Sequence, residues 1–304
     1  MSQNQIATNS FQNRVLQLVM SFDRIFLFRK LFVMMAMLLF VTALSYAQSD
    51  GSRSGHNRVK SSRANAPSVS LNAPRERIIY GETKPLGAGE VRSWVSLDGN
   101  GKPAAIGVTF SEASLSTLPK EPPPGQEGTE LSINFPQAAG VPFKHIGFDW
   151  NPMGHPPEHI YDVPHFDFHF YTITENERAG ITLEGDDKAR ALKQLPSELI
   201  PEGYIYVPDG VVPRMGNHLV NPLSKELHNQ AFTSTFLYGS YDGRLIFAEP
   251  MITRAFLEAK TNITEAIKQP AKYQQPGYYP TKYSVRYDPI KKEYTVALEG
   301  LTLR

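Results

Sequence analysis

From Pro164 to Tyr171 the chain alternates without a break, with His165, Asp167 and His169 at odd positions and Phe166, Phe168 and Phe170 at even ones. Only an extended strand sends successive side chains to opposite faces. The segment is therefore read as a strand with an aromatic face to bury and a face of imidazoles and a carboxylate that needs a cavity or an opposing sheet. A helix would bring His165 and His169 together one turn apart, but Pro164 and the period of two argue against it.

The rest of the chain follows the same strand grammar. Val91, Trp94, Val95 and Leu97 lead into the turn Asp98-Gly99-Asn100-Gly101, and Ala104–Phe110 resumes an apolar run, which predicts a hairpin. Phe232–Tyr238, the turn Tyr241-Asp242-Gly243-Arg244 and Leu245–Ala248 predict a second, and Lys282–Tyr287, Asp288-Pro289 and Tyr294–Leu298 a third. Together with 22 Gly and 24 Pro, these hairpins predict a mainly β chain, an antiparallel β-sandwich or barrel with a few short helices. Thr174 and Glu177 form a capping-box pattern opening a short helix at Glu175–Ile181. Asp186–Leu195 and Thr253–Lys268 are the other helical candidates, the latter interrupted at Thr261-Asn262.

Five of the eight histidines lie between His145 and His169, and the chain has no cysteine. Disulfide scaffolds, thiolate metal sites, iron–sulfur clusters and cysteine nucleophiles are excluded, so an ion here would take nitrogen and oxygen ligands. The candidate ligands are His155, His165, Asp167, His169, His218 and Glu249, suited to zinc, copper, iron or manganese. Strand geometry limits how they combine. His165 and His169 stand roughly 13 Å apart on a regular strand, so one ion takes both only across a bulge. The expectation is a mononuclear centre built from His165 or His169, Asp167 and His218, completed by His155 from its Pro-rich loop or by Glu249. An open position on such an ion would hold a small oxygenated molecule. The other reading of the same face is a polar strip that lines a ligand cleft or a homo-oligomer contact without catalysis. His56, His145, His159 and His228 read as non-ligands.

A formal net charge of +1 gives no footprint for nucleic acid. There is no nucleophile elbow, phosphate loop, dinucleotide fingerprint or His-Glu-x-x-His. Leu31–Leu44 is a short apolar run preceded by Arg24, Arg29 and Lys30 and followed by Ser45-Tyr46-Ala47. Residues 1–47 are read as a signal peptide whose apolar run is too short for a stable membrane anchor, which implies export to the periplasm or the extracellular space. Residues 48–76 are Ser-, Arg-, Asn- and Gly-rich and read as a flexible linker. Residues 77–304 then form a single β-rich domain.

Two resemblances bear on this. Two ligand-type residues one apart on a strand, a Glu, and a histidine delivered by a Pro/Gly turn are similar in outline to the cupin pattern, with Asp167 and the late Glu249 as departures. Gly154-His155-x-Pro, the string Tyr161-Asp-Val-Pro-His-Phe-Asp-Phe-His-Phe-Tyr171, Met215-Gly216-x-His218, Tyr238-Gly239-Ser240-Tyr241 and Glu249-Pro250-Met251 resemble an uncharacterised family of exported bacterial proteins. That resemblance implies a family without an assigned reaction.

Overall fold

The computed structural model describes residues 76–304 apart from residues 127 and 139; the signal-peptide reading, and the linker reading but for its last residue, lie outside the described residues. Its strands run β1 (Arg77–Leu86), β2 (Gly89–Leu97), β3 (Pro103–Ser111), β4 (Thr129–Asn134), β5 (His145–Asn151), β6 (His165–Tyr171), β7 (Ile205–Val212) and β8 (Gly216–Val220). They continue with β9 (Ser234–Tyr241), β10 (Arg244–Thr253), β11 (Ile263–Ala266), β12 (Tyr278–Tyr279), β13 (Lys282–Asp288), β14 (Glu293–Glu299) and β15 (Thr302–Leu303). A six-stranded sheet has the order β1-β2-β3-β14-β13-β11, and a seven-stranded sheet the order β4-β5-β6-β10-β9-β8-β7. Neither closes on itself, so of the two expected architectures the chain adopts the sandwich-like one and not the barrel.

The three predicted hairpins are β2–β3, β9–β10 and β13–β14, all antiparallel. The Thr174 capping box forms and starts the helix Glu175–Ala179, and a second helix covers Asp187–Leu192. The third candidate is corrected: after a single turn at Arg254–Glu258 the chain becomes strand β11. A further short helix, Glu112–Thr117, is capped by Ser111.

The core forms where the aromatic face of β6 meets the six-stranded sheet. Phe110 on β3 packs edge-on against Phe148 with ring centroids 5.4 Å apart, and stacks near Phe168 at 6.3 Å. Phe166 touches Phe148 and Trp150 at 5.3 and 4.6 Å. β5 repeats the alternation, with Ile146, Phe148 and Trp150 on the core side and Gly147, Asp149 and Asn151 on the other. The polar faces of β5 and β6 thus lie together on the side of the seven-stranded sheet away from the sandwich core, yet every residue of both strands is buried. Covering segments must therefore close over that side, and they define the site.

Candidate metal centre

Cross-strand register brings the polar residues into one field. Asn151, Asp149 and Gly147 on β5 stand opposite His165, Asp167 and His169 on β6. On the other flank, the β10 register pairs Thr253 with His165 and Met251 with Asp167, and continued between Met251 and Ala248 it brings Glu249 level with His169. The β6–β10 ladder is interrupted at Glu249 and Pro250, where proline has no N–H to donate. Pro250 does not end the strand, since β10 continues to Thr253.

His218 arrives from β8 through a gap that glycine provides. It stands opposite Gly239 on β9, which in turn pairs with Phe247 on β10. A Cβ on Gly239 would lie 1.9 Å from the Phe247 ring, so only glycine lets that ring lie across the strand. Phe247 then sits against both imidazoles, 4.9 Å from His169 and 5.4 Å from His218. His155 comes from the loop after β5. Gly154, at φ +70°, is held by its N–H to Asn151 O, and a Cβ there would meet Tyr161 O at 2.2 Å. The loop folds back and hangs His155 over β6 through a bond from its own N–H to Tyr161 O.

The six candidate ligands fall into two groups of three. His155, His165 and Asp167 form one, and His169, His218 and Glu249 the other; within each group the ligand atoms lie within 4.8 Å of one another. Each group holds two imidazoles and one carboxylate, the composition of open catalytic zinc and non-haem iron centres. The single centre expected from sequence is thereby divided. β6 is regular throughout its pairing with β5, and with no bulge His165 and His169 go to different groups. Asp167 does not join His218, which is where the cupin-like pattern departs from this geometry.

Three imidazoles have a fixed tautomer. Nδ1 of His155 donates to Pro156 O at 2.7 Å, that of His165 to Val163 O at 2.7 Å and that of His218 to Gly210 O at 2.8 Å. A carbonyl can only accept, so the neutral rings present Nε2 lone pairs inward. In the fourth, His169 Nδ1 lies 2.9 Å from Asp149 Oδ2, a close contact outside hydrogen-bond alignment, and its Nε2 lies 3.3 Å from Glu249 Oε1. Oxygen-anchored imidazoles of this kind are the usual outer support of metal-bound histidine.

Buried imidazoles and carboxylates shift one another's protonation here. Burial opposes protonation of His169, but Glu249 and Asp149 outweigh it and lift its pKa to about 9. His155 behaves alike: burial opposes its charge, yet Asp167 raises it to about 9. Burial pushes Glu249 up to about 8 against the pull of His169, and raises Asp149 as well. Asp167 resists its own burial because His165 and His155 hold it well below the usual carboxylate range. His218 moves the other way, its burial lowering it to about 4.

A cleft of about 860 Å³ opens onto this field, lined by Asp149, His155, Asp167, His169, His218 and Glu249. Val211, Leu237 and Met251 give it an apolar wall, and Glu130 with Arg214 stands at its edge. Arg214 is spent on Glu130, with contacts of 2.8 and 2.9 Å. Of the remaining histidines, His145 is buried and stacks on Tyr171 at 4.8 Å, His159 is exposed, and His228 is half-buried and bonded to Pro222 O. Asp149, Asn151, Gly239 and Phe247 are the supporting residues sequence reasoning missed. The first two were signalled by the alternation in His145–Asn151; the others depend on pairing that sequence does not display.

Fold and site define a class: a sandwich-like β protein carrying a buried histidine–carboxylate field on the outer side of one sheet. Residues 98–150 are similar to the TTHB210-like family, described as hypothetical protein TTHB210. The matched span covers β3, β4 and most of β5, including Asp149, and ends before His155. No curated protein and no solved structure matches the chain.

Proposed function

We propose that this chain is an exported metal-binding protein that holds a divalent transition-metal ion on His169, His218 and Glu249 and presents it to a small oxygenated ligand in the cleft. The observation that carries the reading is the mutual approach of those three ligand atoms, within 4.8 Å, on the wall of a cleft of about 860 Å³. His218 is already neutral and oriented, and Glu249, which burial keeps protonated up to about pH 8, supplies a charge once a dication displaces that proton. Zinc, copper, iron and manganese all suit two imidazoles and a carboxylate. Three protein ligands leave a coordination position toward the cleft, where an ion polarises a bound oxygen or exchanges electrons with it. Asp149 steadies His169 from behind, and the apolar wall of Val211, Leu237 and Met251 excludes competing water. Export is supported by the charged, apolar and small-residue pattern of residues 24–47.

The sequence also allowed a subunit-contact role for the histidine strip. His165, Asp167 and His169 are buried within one chain, which favours the cleft reading over it. Elemental analysis of tag-free protein tests the proposal. The expected result is bound transition metal that chelation removes with a fall in Tm, and that His218→Ala reduces while the circular dichroism spectrum is kept. Metal-free protein whose Tm ignores added zinc, manganese, iron and copper would overturn it.

A further inference from the structure

We infer that the chain binds a second divalent ion, separate from the first, on His155, His165 and Asp167. The inference extends the metal-binding reading of the cleft but rests on different residues. Two atoms bound to one ion at about 2.0–2.2 Å lie at most about 4.4 Å apart. Within each group the ligand atoms lie within 4.8 Å of one another, so a small closure brings them to that limit, and the two groups do not merge at that distance. One ion therefore cannot serve both triads as they are placed.

The second triad has its own preorganisation. His155 and His165 each lock Nδ1 on a backbone carbonyl, Pro156 O and Val163 O, and turn Nε2 toward Asp167 at 3.3 and 3.2 Å. Asn151 Nδ2 donates to Asp167 Oδ2 at 2.7 Å and fixes the carboxylate plane. Asp167 Oδ1 and His165 Nε2 remain buried without a hydrogen-bond partner, on residues that are 5% and 0% exposed. Stranded buried acceptors of this kind are costly unless a cation or proton lies between them. With two imidazoles and a single carboxylate, the group selects a borderline ion of the zinc type over magnesium or calcium, which demand oxygen cages.

Its surroundings suggest a different job from the first centre. Phe232 packs edge-on against His165 at 5.4 Å, and His165 itself does not reach the cleft wall. The ion would tie the loop that carries His155 to the middle of β6 and so hold the cleft wall formed by Pro156, Pro157 and Tyr161.

Zinc titration of the apo protein by calorimetry and equilibrium dialysis separates the two claims. The wild type should take up two zinc ions per chain, His155→Ala and His218→Ala one each, and the double variant none. Should His155→Ala unfold, Asp167→Asn, which keeps the shape and loses the charge, is expected to give the same loss of one ion. One ion in the wild type that His155→Ala and Asp167→Asn leave in place would overturn the second site and keep the first. Loss of both ions on His155→Ala would contradict two separate centres, and a wild type that binds no zinc overturns the second centre, while the first is judged by the elemental analysis and the titrations with manganese, iron and copper.

Discussion

Asp149 and Gly239 make no bond to an ion in this scheme, yet each decides where a ligand stands. Asp149 Oδ2 lies 2.9 Å from His169 Nδ1, close enough for its charge to act on the ring. Removing its charge in Asp149→Asn is expected to weaken zinc affinity about 10–100-fold, with little change in Tm, in competition against a chromophoric chelator. At Gly239 the constraint is steric. A methyl group there would overlap the Phe247 ring, which supports His169 and His218 together. Gly239→Ala should cost about 1–3 kcal/mol in chemical denaturation and lower zinc affinity in the same protein; unchanged values for both would show that Phe247 moves freely and does not position the imidazoles.

Strand β6 works on both of its faces, and its two faces differ in how legible they were. The aromatic face follows from the alternation alone, and the structure places Phe168 within 5.1 Å of Phe148 and 5.7 Å of Phe166, measured between ring centroids. Phe168→Ala is expected to cost about 3–5 kcal/mol of stability, measured by denaturant unfolding, because the rings around it cannot close the space. The polar face was legible as a set of ligand types but not as a partition. Which histidine joins which carboxylate depends on Glu249 reaching the level of His169 across β10, on the regularity of β6, and on a loop that Gly154 turns back over the sheet. Register and loop closure are long-range outcomes, and the sequence carries them only as isolated glycines and prolines. The same limit explains Thr253–Lys268, where local helix propensity yields to pairing of β11 with β13.

Across the whole molecule, protons and the proposed ion would compete for one field of charge. His169 and His155 have pKa values raised to about 9 in the folded metal-free chain, above the ordinary imidazole value of 6.5. The folded state therefore binds protons that the unfolded chain releases between those values. Their stabilisation is full below about pH 6.5 and is lost as pH rises toward 9. Glu249, raised to about 8, acts in the same direction, since its buried carboxyl must give up a proton as pH climbs. Tm of the metal-free protein should fall from pH 6.5 to 9. Zinc affinity should rise over the same interval as fewer protons need displacing; a metal-free Tm that rises across this interval would contradict the charge arrangement. The most direct measurement of the central claim is anomalous diffraction at the zinc edge from crystals of the zinc-loaded protein. The expected result is a peak at about 2.0–2.2 Å from His169 Nε2, His218 Nε2 and a Glu249 oxygen, and a zinc-loaded crystal with no anomalous density between those three residues would contradict it.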